Sequence, residues 1–207
     1  MKIGLVPMAA KPYHIGHHWL VNQAANENDE VLLYISIGDR KRKDQFTIHG
    51  SDMQRVWKEE IENILPSNVT PLYGGSPVKH VFDTLIEAEQ KYVDGTLDDV
   101  YTIYSDVVDT AQTYNEKVKN KYFPTIYDEG LVLFAAEKDP GKYTRSSGSG
   151  APDMSGTAMR RALQAKDFEA FEQGLPAGVN AQNIYDILSG GNINEELLKF
   201  YVKSVLF

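Results

Sequence analysis

Near its start the chain reads Ile3-Gly4-Leu5-Val6-Pro7, then His14-Ile15-Gly16-His17, then Trp19-Leu20-Val21. The first run predicts a buried strand, and the last predicts the beginning of a helix. A helix start offers unpaired N–H groups and a positive dipole end, which bind anions. Gly16 would let phosphate oxygens approach the backbone, and the rings of His14 and His17 can donate hydrogen bonds to one anion. The pattern predicts a phosphate site after the first strand; the alternative is a turn whose histidines only cap the helix.

Apolar, β-rich runs alternate with helical patterns along the chain. The predicted strands are 2–7, 30–37, 69–73, 100–104 and 131–136, and the predicted helices between them are 19–28, 51–65, 79–93 and 109–121. Strands joined by right-handed helical crossovers form a parallel sheet that helices cover on both faces. The expected fold is therefore an α/β, Rossmann-like, doubly wound sheet of about five parallel strands with a helical C-terminal tail.

The 207 residues predict one α/β domain over 1–165 and a helical C-terminal extension over 166–207 that packs on it. Short helices are expected at 157–163, 168–173, 181–188 and 193–207. The run Ser146-Ser147-Gly148-Ser149-Gly150 contains no apolar residue and is predicted to be mobile. Because Lys138, Lys142 and Arg145 flank this run, the loop 138–153 is either a basic lid beside the phosphate site or a disordered insertion.

Composition limits the classes of function. The net charge of −8 argues against general binding to nucleic acid or to membrane surfaces. The chain has no cysteine, which excludes disulfides, thiolate metal sites and a cysteine nucleophile. No apolar run reaches about 18 residues, and no signal peptide precedes the first strand. We therefore expect a cytoplasmic protein whose partners are small-molecule substrates rather than nucleic acid or membrane, with homo-oligomerisation left open.

Three segments that are distant in sequence are predicted to meet at one edge of the sheet. In open parallel sheets, ligands bind beyond the C-terminal ends of the strands, where the strand order reverses. Segment 8–17 follows the first predicted strand, and segment 38–45 follows the second. The loop after the fifth predicted strand leads to Ser155-Gly156-Thr157, which predicts another helix start. Their convergence strengthens the prediction of a phosphate site.

Two motifs resemble the signatures of the nucleotidylyltransferase superfamily. The stretch Lys11-Pro12-Tyr13-His14-Ile15-Gly16-His17-His18 resembles the H-x-G-H motif of that superfamily. The stretch Met154-Ser155-Gly156-Thr157-Ala158-Met159-Arg160 resembles its I-S-S/G-T-x-x-R motif. The resemblance covers residues 1–165. Because Met159-Arg160-Arg161 follows the S-G-T form and Phe46-Thr47 leads into a helix, the chain looks most like nicotinamide mononucleotide adenylyltransferases of the archaeal kind.

The resemblance assigns roles to residues of both motifs. It places His14 and His17 on the triphosphate, and Arg160 on the β- and γ-phosphate oxygens, which suit a planar guanidinium. Lys11, just before the first histidine, is predicted as a further catalytic residue. The residues predicted to bind the nucleotide are Pro7, Met8, Ala9, Gly16, Ser105, Asp106, Ser155, Gly156 and Thr157.

The acceptor contact is predicted from a basic run at the end of the second strand, and the metal is implied by the resemblance. The basic run at 40–43 is either a solvated face or a contact for the acceptor phosphate, and Arg40, Arg42 and Lys43 are the candidates for that contact. Mg²⁺ is expected together with ATP, held by phosphate oxygens and water, with no ligand from protein side chains.

The resulting hypothesis is an enzyme, a nucleotidyltransferase. It would move a nucleotidyl group, expected to be adenylyl, from a nucleoside triphosphate to a phosphate-bearing small molecule and release pyrophosphate. The alternatives are a cytidylyltransferase, a phosphopantetheine adenylyltransferase, or a non-catalytic nucleotide-binding protein of the same fold. A class I aminoacyl-tRNA synthetase fragment shares the H-I-G-H signature, but Met154-Ser155-Gly156-Thr157 lacks the lysines of its second motif and the acidic balance disfavours tRNA.

Several residues near these motifs are given structural roles. Adjacent helical residues point about 100° apart, so Arg160 is predicted to face the site and Arg161 the solvent. His18 is predicted to pack on the helix surface. Trp19 and Trp57 are predicted to lie in the core. His49 and His80 are interpreted as structural.

Overall fold

The computed structural model describes residues 1–144 and 153–190, and within this part five strands form one sheet. The strands are β1 (Lys2–Met8), β2 (Glu30–Ser36), β3 (Val69–Gly74), β4 (Val100–Ile103) and β5 (Val132–Phe134). Their order is β3-β2-β1-β4-β5, and every neighbouring pair is parallel. This confirms the prediction of a Rossmann-like sheet of five parallel strands. The strand order reverses at β1, which pairs with β2 on one side and β4 on the other.

Helices connect the strands and continue after the sheet. The first group is α1 (Ile15–Glu27), α2 (Gly50–Val56) and α3 (Pro77–Val93). Between β4 and β5 lie α4 (Val107–Thr113), α5 (Glu116–Tyr122) and α6 (Pro124–Asp128), and β5 runs directly into α7 (Ala135–Lys138). The C-terminal region contains α8 (Gly156–Ala165), α9 (Phe168–Glu172) and α10 (Ala181–Ser189). The helical C-terminal region is therefore present; the predicted helix 193–207 and the run 146–150 lie outside the described residues.

The core has one layer on each face of the sheet. Val6, Val21 and Trp57 belong to the layer that includes residues of α1, α2, α8 and α10. Leu5 and Leu85 belong to the layer on the opposite face, with α3, α5 and α6. Successive residues of β1 point into different layers because side chains of a strand alternate between the two faces. Helices therefore cover both faces of the sheet, as predicted.

Several predicted elements differ from the observed ones. The predicted helix 51–65 is α-helical only to Val56 and continues as a π-helix (Trp57–Ile61) and a 3₁₀ turn (Glu62–Ile64). The predicted helix 109–121 is divided into α4 and α5, because the Asn115 side chain accepts a hydrogen bond from Val118 N and starts a new helix. The last strand ends at Phe134 rather than 136, since Ala135 begins α7.

The first helix begins four residues earlier than predicted. We expected it at Trp19, yet α1 starts at Ile15 with His14 as its N-cap residue. Nδ1 of His14 accepts a hydrogen bond from Gly16 N at 3.1 Å, which satisfies one of the N–H groups that a helix start leaves unpaired. The second half of the H-I-G-H sequence therefore lies in the first helical turn rather than in a loop.

The two tryptophans occupy different environments. Trp57 is fully buried, as predicted. Trp19 packs against the core but is only partly buried, because α1 turns this side chain toward Tyr143 at a cleft above the sheet. Of the helices within residues 1–144 and 153–190, none combines the length and apolarity needed to cross a bilayer.

Candidate functional site

A cleft of about 670 Å³ opens beyond the C-terminal ends of β1 and β4, the strand pair at which the order of the sheet reverses. This is the position at which open α/β sheets bind ligands, and its volume lies in the range of small-molecule sites. Its lining residues come from both motifs, from the loop after β2 and from the ends of β1 and β4. They are Pro7, Met8, Ala9, Ala10, Lys11, His14, Gly16, His17, Trp19, Leu20, Arg40, Arg42, Ser105, Asp106, Asp109, Tyr143, Thr144, Asp153, Met154, Ser155, Gly156, Thr157 and Arg160.

The cleft brings together almost every residue that the sequence singled out. All the predicted catalytic residues and all the predicted nucleotide-binding residues line it, as do Arg40 and Arg42. Lys43 is exposed and does not line the cleft, because the chain turns away after Arg42. Convergence of the three segments is thus observed, whereas the roles of the individual residues stay predictions.

The two histidines of the first motif lie against each other. The ring centroids of His14 and His17 are 3.7 Å apart, and Tyr13 stacks on His17 at 5.7 Å. Because Nδ1 of His14 accepts from Gly16 N, the neutral ring carries its proton on Nε2, the only nitrogen that can then donate. A side chain at Gly16 would place Cβ 3.0 Å from Cε1 of His14, so the His14 ring would have to shift from its capping position.

The second motif opens α8 and positions Arg160. Ser155 is the N-cap of the helix, and its hydroxyl accepts a hydrogen bond from Ala158 N at 3.1 Å. Arg160 is buried, at 4% exposure, and Arg161 is exposed, which confirms the predicted directions of the two side chains. A side chain at Gly156 would approach the guanidinium of Arg160 to 3.1 Å. The glycine therefore makes room for the arginine.

Arg160 connects three parts of the cleft. Its guanidinium donates to Lys11 O at 2.7 Å, to Gln45 Oε1 at 3.0 Å and to Thr157 Oγ1 at 3.0 Å. A guanidinium has five N–H donors. Within the part of the chain that the structure describes, three donors are thus engaged by protein, and two can serve a bound anion.

The loop after β2 carries Arg40 and Arg42 to the cleft. Arg40 pairs with Ile48 as an antiparallel bridge, with N···O distances of 2.8 and 3.2 Å. Asp39 accepts a hydrogen bond from Gly50 N and forms an ion pair with Lys41, and both interactions hold the pKa of Asp39 at about 2. Backbone pairing and a charged turn residue therefore fix the base of this loop.

The cations of the cleft act on one another. Burial is the main cause of a lowered pKa for Lys11, Arg40 and Arg160. The charge of Asp39 acts to raise the pKa of Lys11 and that of Arg40 acts to lower it, while Arg42 lowers the pKa of Arg40. Arg40 and Arg42 both lower the pKa of Arg160. In a chain of net charge −8, this concentration of repelling cations favours a bound anion.

Lys11 occupies the inner end of this cationic group. It is 5% exposed, and its Nζ donates to the hydroxyl of Ser36 at 3.2 Å. The preceding residue, Ala10, has a φ of 46°, a left-handed conformation that is strained for a residue with a side chain. The backbone between β1 and the first motif thus turns sharply to bring Lys11 under the cleft.

The sequence interpretation missed part of the site. The sequence predicts Trp19 in the core, gives no site role to Leu20 or Asp109, and includes Tyr143 and Thr144 only in the loop 138–153, although all of them line the cleft. Asp109 lies one helical turn after Asp106 on α4, a spacing that could have indicated it. Tyr143 carried no local signal, because only the return of the chain over α1 brings it beside Trp19.

The histidines outside the first motif have structural contacts. His18 interacts through Nδ1 with the hydroxyl of Tyr13 at 3.2 Å, and burial lowers the pKa of its ring. His80 stacks on Tyr34, and His49 lies 3.6 Å from the Asp39 carboxylate. These contacts agree with their interpretation as structural residues.

Part of the chain matches a known domain family. Residues 3–70 match the model of the citrate lyase ligase C-terminal domain, a family of the nucleotidyltransferase-like superfamily. The matched region runs from β1 to the start of β3, about a third of the chain, and includes the first motif and the basic loop. No curated protein matches the chain. Over this region the chain is therefore similar to nucleotidyltransferase-like domains.

Proposed function

We propose that this protein is a nucleotidyltransferase that moves an adenylyl group from ATP to a phosphate-bearing small molecule. The observation that carries the proposal is the convergence of two sequence-distant motifs in one cleft. His14 and His17 come from the first motif and Arg160 from the second, and Lys11 and Arg40 lie beside them. A reaction between two polyanions needs such a concentration of donors and cations.

The reaction is an in-line displacement at the α-phosphorus of ATP. An oxygen of the acceptor phosphate forms a new P–O bond, the bond to the oxygen bridging to the β-phosphate breaks, and pyrophosphate leaves with that oxygen. The protein supplies no covalent group. It holds two mutually repelling anions in line and stabilises the charge on the transferring group.

The proposed roles follow from position in the cleft. Nε2–H of His14 and the ring of His17 would donate to the α-phosphate, where charge develops in the transition state. The two N–H groups of Arg160 that described residues do not engage would bind the outgoing pyrophosphate oxygens. Arg40 and Arg42, on the β2 side, would bind the phosphate of the acceptor.

The cleft fits Mg²⁺ only as a partner of the triphosphate. Its carboxylates include Asp106 and Asp109, whose oxygens suit a hard cation. Within residues 1–144 and 153–190, no three His, Cys, Asp or Glu side chains are grouped so as to hold a metal ion. Phosphate oxygens and water would therefore supply most of the ligands, and the ion would neutralise phosphate charge when bound.

A second acceptor class is a carboxylate. The match of residues 3–70 to a citrate lyase ligase domain supports an adenylylating activity without specifying the acceptor. A carboxylate oxygen can attack the α-phosphorus in the same geometry and would give an acyl adenylate and pyrophosphate. The cationic group on the β2 side favours the more highly charged phosphate.

The test is pyrophosphate release with ATP and CTP against phosphate monoesters and carboxylates, in the presence of Mg²⁺. We expect release with ATP and a phosphate monoester, and stronger thermal stabilisation by ATP than by CTP. Release only with carboxylates would favour the second acceptor class, and preference for CTP would favour a cytidylyltransferase. Binding of ATP without release would support a non-catalytic nucleotide-binding protein, and binding of neither nucleotide would refute the proposal.

A further inference from the structure

The segment at 139–144 is attached to α1 at a point outside the cleft. Nζ of Lys142 donates to Oε1 of Glu27 at 2.8 Å, and the two residues are 115 positions apart. Glu27 is the last residue of α1 and does not line the cleft. The ion pair therefore joins the end of α1 to the chain that approaches the second motif.

The second oxygen of Glu27 is also engaged. Tyr104, directly after β4, donates its hydroxyl proton to Oε2 of Glu27 at 2.8 Å. Asn28 donates from Nδ2 to the same hydroxyl at 2.8 Å. Burial acts to raise the pKa of Glu27, but the hydrogen bonds from Lys142 and Tyr104 outweigh it and hold the pKa below its usual value. Glu27 is thus the ionised centre of a network that joins α1, β4 and residue 142.

Residues of this network contact the aromatic residues that line one side of the cleft. Tyr143 contacts Tyr104 edge to face at 6.1 Å and Trp19 at 5.8 Å. Its carbonyl accepts a hydrogen bond from Val107 N at 3.3 Å. Both Trp19 and Tyr143 line the cleft on its β4 side, near Ser105 and Asp106, whereas Arg40 and Arg42 come from the β2 side. We call Trp19 and Tyr143 the aromatic wall.

The cleft therefore has an aromatic side and a cationic side, which match the two ends of a nucleotide. We propose that the aromatic wall packs against the planar base of the nucleotide, and that Glu27 is a positioning residue which holds this wall through Lys142 and Tyr104. The inference rests on the proposed function, since it names the side of the same cleft that takes the base. It adds a residue outside the cleft to the nucleotide-binding machinery.

A stabilising role for Glu27 and a positioning role would have different experimental consequences. The Glu27–Lys142 pair is partly exposed, and such pairs contribute little to stability. Loss of the charge should therefore change the melting temperature little. If Glu27 positions the wall, the same change should weaken nucleotide binding more than it affects stability or turnover.

The experiment uses the fluorescence of Trp19 to report nucleotide binding at the aromatic wall. Glu27→Gln keeps an acceptor for the Tyr104 hydroxyl and removes the charge that Lys142 pairs with. ATP is titrated into the wild type, Glu27→Gln and Lys142→Met while tryptophan fluorescence and the KM for ATP are measured. Trp19→Phe identifies the contribution of the wall, because Trp57 is the only other tryptophan. The matched control is Glu87→Gln, which removes the Glu87–Lys91 ion pair of α3, outside the cleft.

We expect Glu27→Gln and Lys142→Met to raise the KM for ATP about three- to tenfold, the size of a lost aromatic contact, with a smaller effect on kcat. Glu87→Gln should behave as the wild type. An unchanged KM in both single variants, or a loss confined to kcat, would overturn the inference while leaving nucleotidyl transfer intact. If the wild type binds no nucleotide, the proposed function fails and the inference fails with it.

Discussion

The two sides of the cleft are held in different ways. On the β2 side, the antiparallel backbone bridge between Arg40 and Ile48 fixes the loop, and a single hydrogen bond from Gly50 N to the Asp39 side chain supports it. On the β4 side, a network of side chains around Glu27 holds the aromatic wall. Backbone pairing holds the loop that carries Arg40 without depending on one side chain. A single substitution can instead break the side-chain network around Glu27. The difference suggests that the cationic side sets the reaction geometry and the aromatic side tunes nucleotide affinity.

The largest effect is expected where the two sides meet, at the first motif. His17→Ala should lower kcat by about 10²–10³, the usual loss for one donor to a developing oxyanion. The fold should persist, because His17 is only partly buried. Steady-state turnover and a thermal melt check both points, and His80→Ala on α3, outside the cleft, is the matched control. Wild-type turnover in His17→Ala would mean that this ring has a packing role beside His14 and Tyr13 and no role in the reaction.

Arg160 contacts the basic loop and both motifs, so we expect its replacement to have the second-largest effect. Arg160→Lys keeps the charge but cannot reproduce the three directed hydrogen bonds of the guanidinium. We expect a loss of about 1–3 kcal/mol in catalytic efficiency, as for hydrogen bonds of charged groups. Arg161→Lys, on the exposed face, should be near neutral. If Arg161→Lys is the damaging variant, the alignment of the second motif is wrong.

The acceptor side can be tested within the basic run itself. Arg42 lines the cleft and Lys43 does not, although the two are adjacent. Arg42→Met should raise the KM for the acceptor by about two- to fivefold, the size expected for an exposed charge pair. Lys43→Met should leave it unchanged. Equal effects of the two variants would indicate a diffuse attraction by the whole run rather than a contact by Arg42.

The smallest expected effect is a change of pH dependence at Lys11. Burial lowers the pKa of this lysine from its usual 10.5; the charge of Asp39 opposes this effect and that of Arg40 adds to it. The protonated form attracts anions, so kcat/KM for ATP should fall on the alkaline side at a lower pH than an ordinary lysine would cause. Lys11→Arg keeps a charge throughout this range and should remove the alkaline decline. A pH–rate profile checks this, and the same decline in Lys11→Arg would assign it to another group.

Local patterns predicted the sheet and the cationic side of the cleft. Alternating apolar and helical runs predicted five parallel strands in the correct order along the chain, and the switch-point rule placed both motifs at one edge. The basic run 40–43 was visible as a contiguous cluster, and two of its members reach the cleft. These features depend on residues that are close together in the sequence, so the sequence alone can predict them.

The aromatic side could not be predicted in the same way. Trp19 and Tyr143 are separated by most of the chain, and only the tertiary fold brings their rings to 5.8 Å. Glu27 appears in the sequence as an ordinary helix residue, and its two partners lie 77 and 115 positions away. The start of α1 lies earlier than predicted, because the His14 ring caps the helix, a role that the sequence offered only as the alternative for the first motif.

We propose that this cleft transfers the α-phosphoryl group of ATP together with its nucleoside. The most direct measurement follows label from ATP that carries radioactive phosphorus at either the α or the γ position, with the phosphate acceptor identified by the pyrophosphate assay. If the cleft catalyses nucleotidyl transfer, the α label enters the acceptor product and the γ label leaves as pyrophosphate. His17→Ala should slow both. Appearance of the γ label in the acceptor would contradict the account, since it would show phosphoryl rather than nucleotidyl transfer.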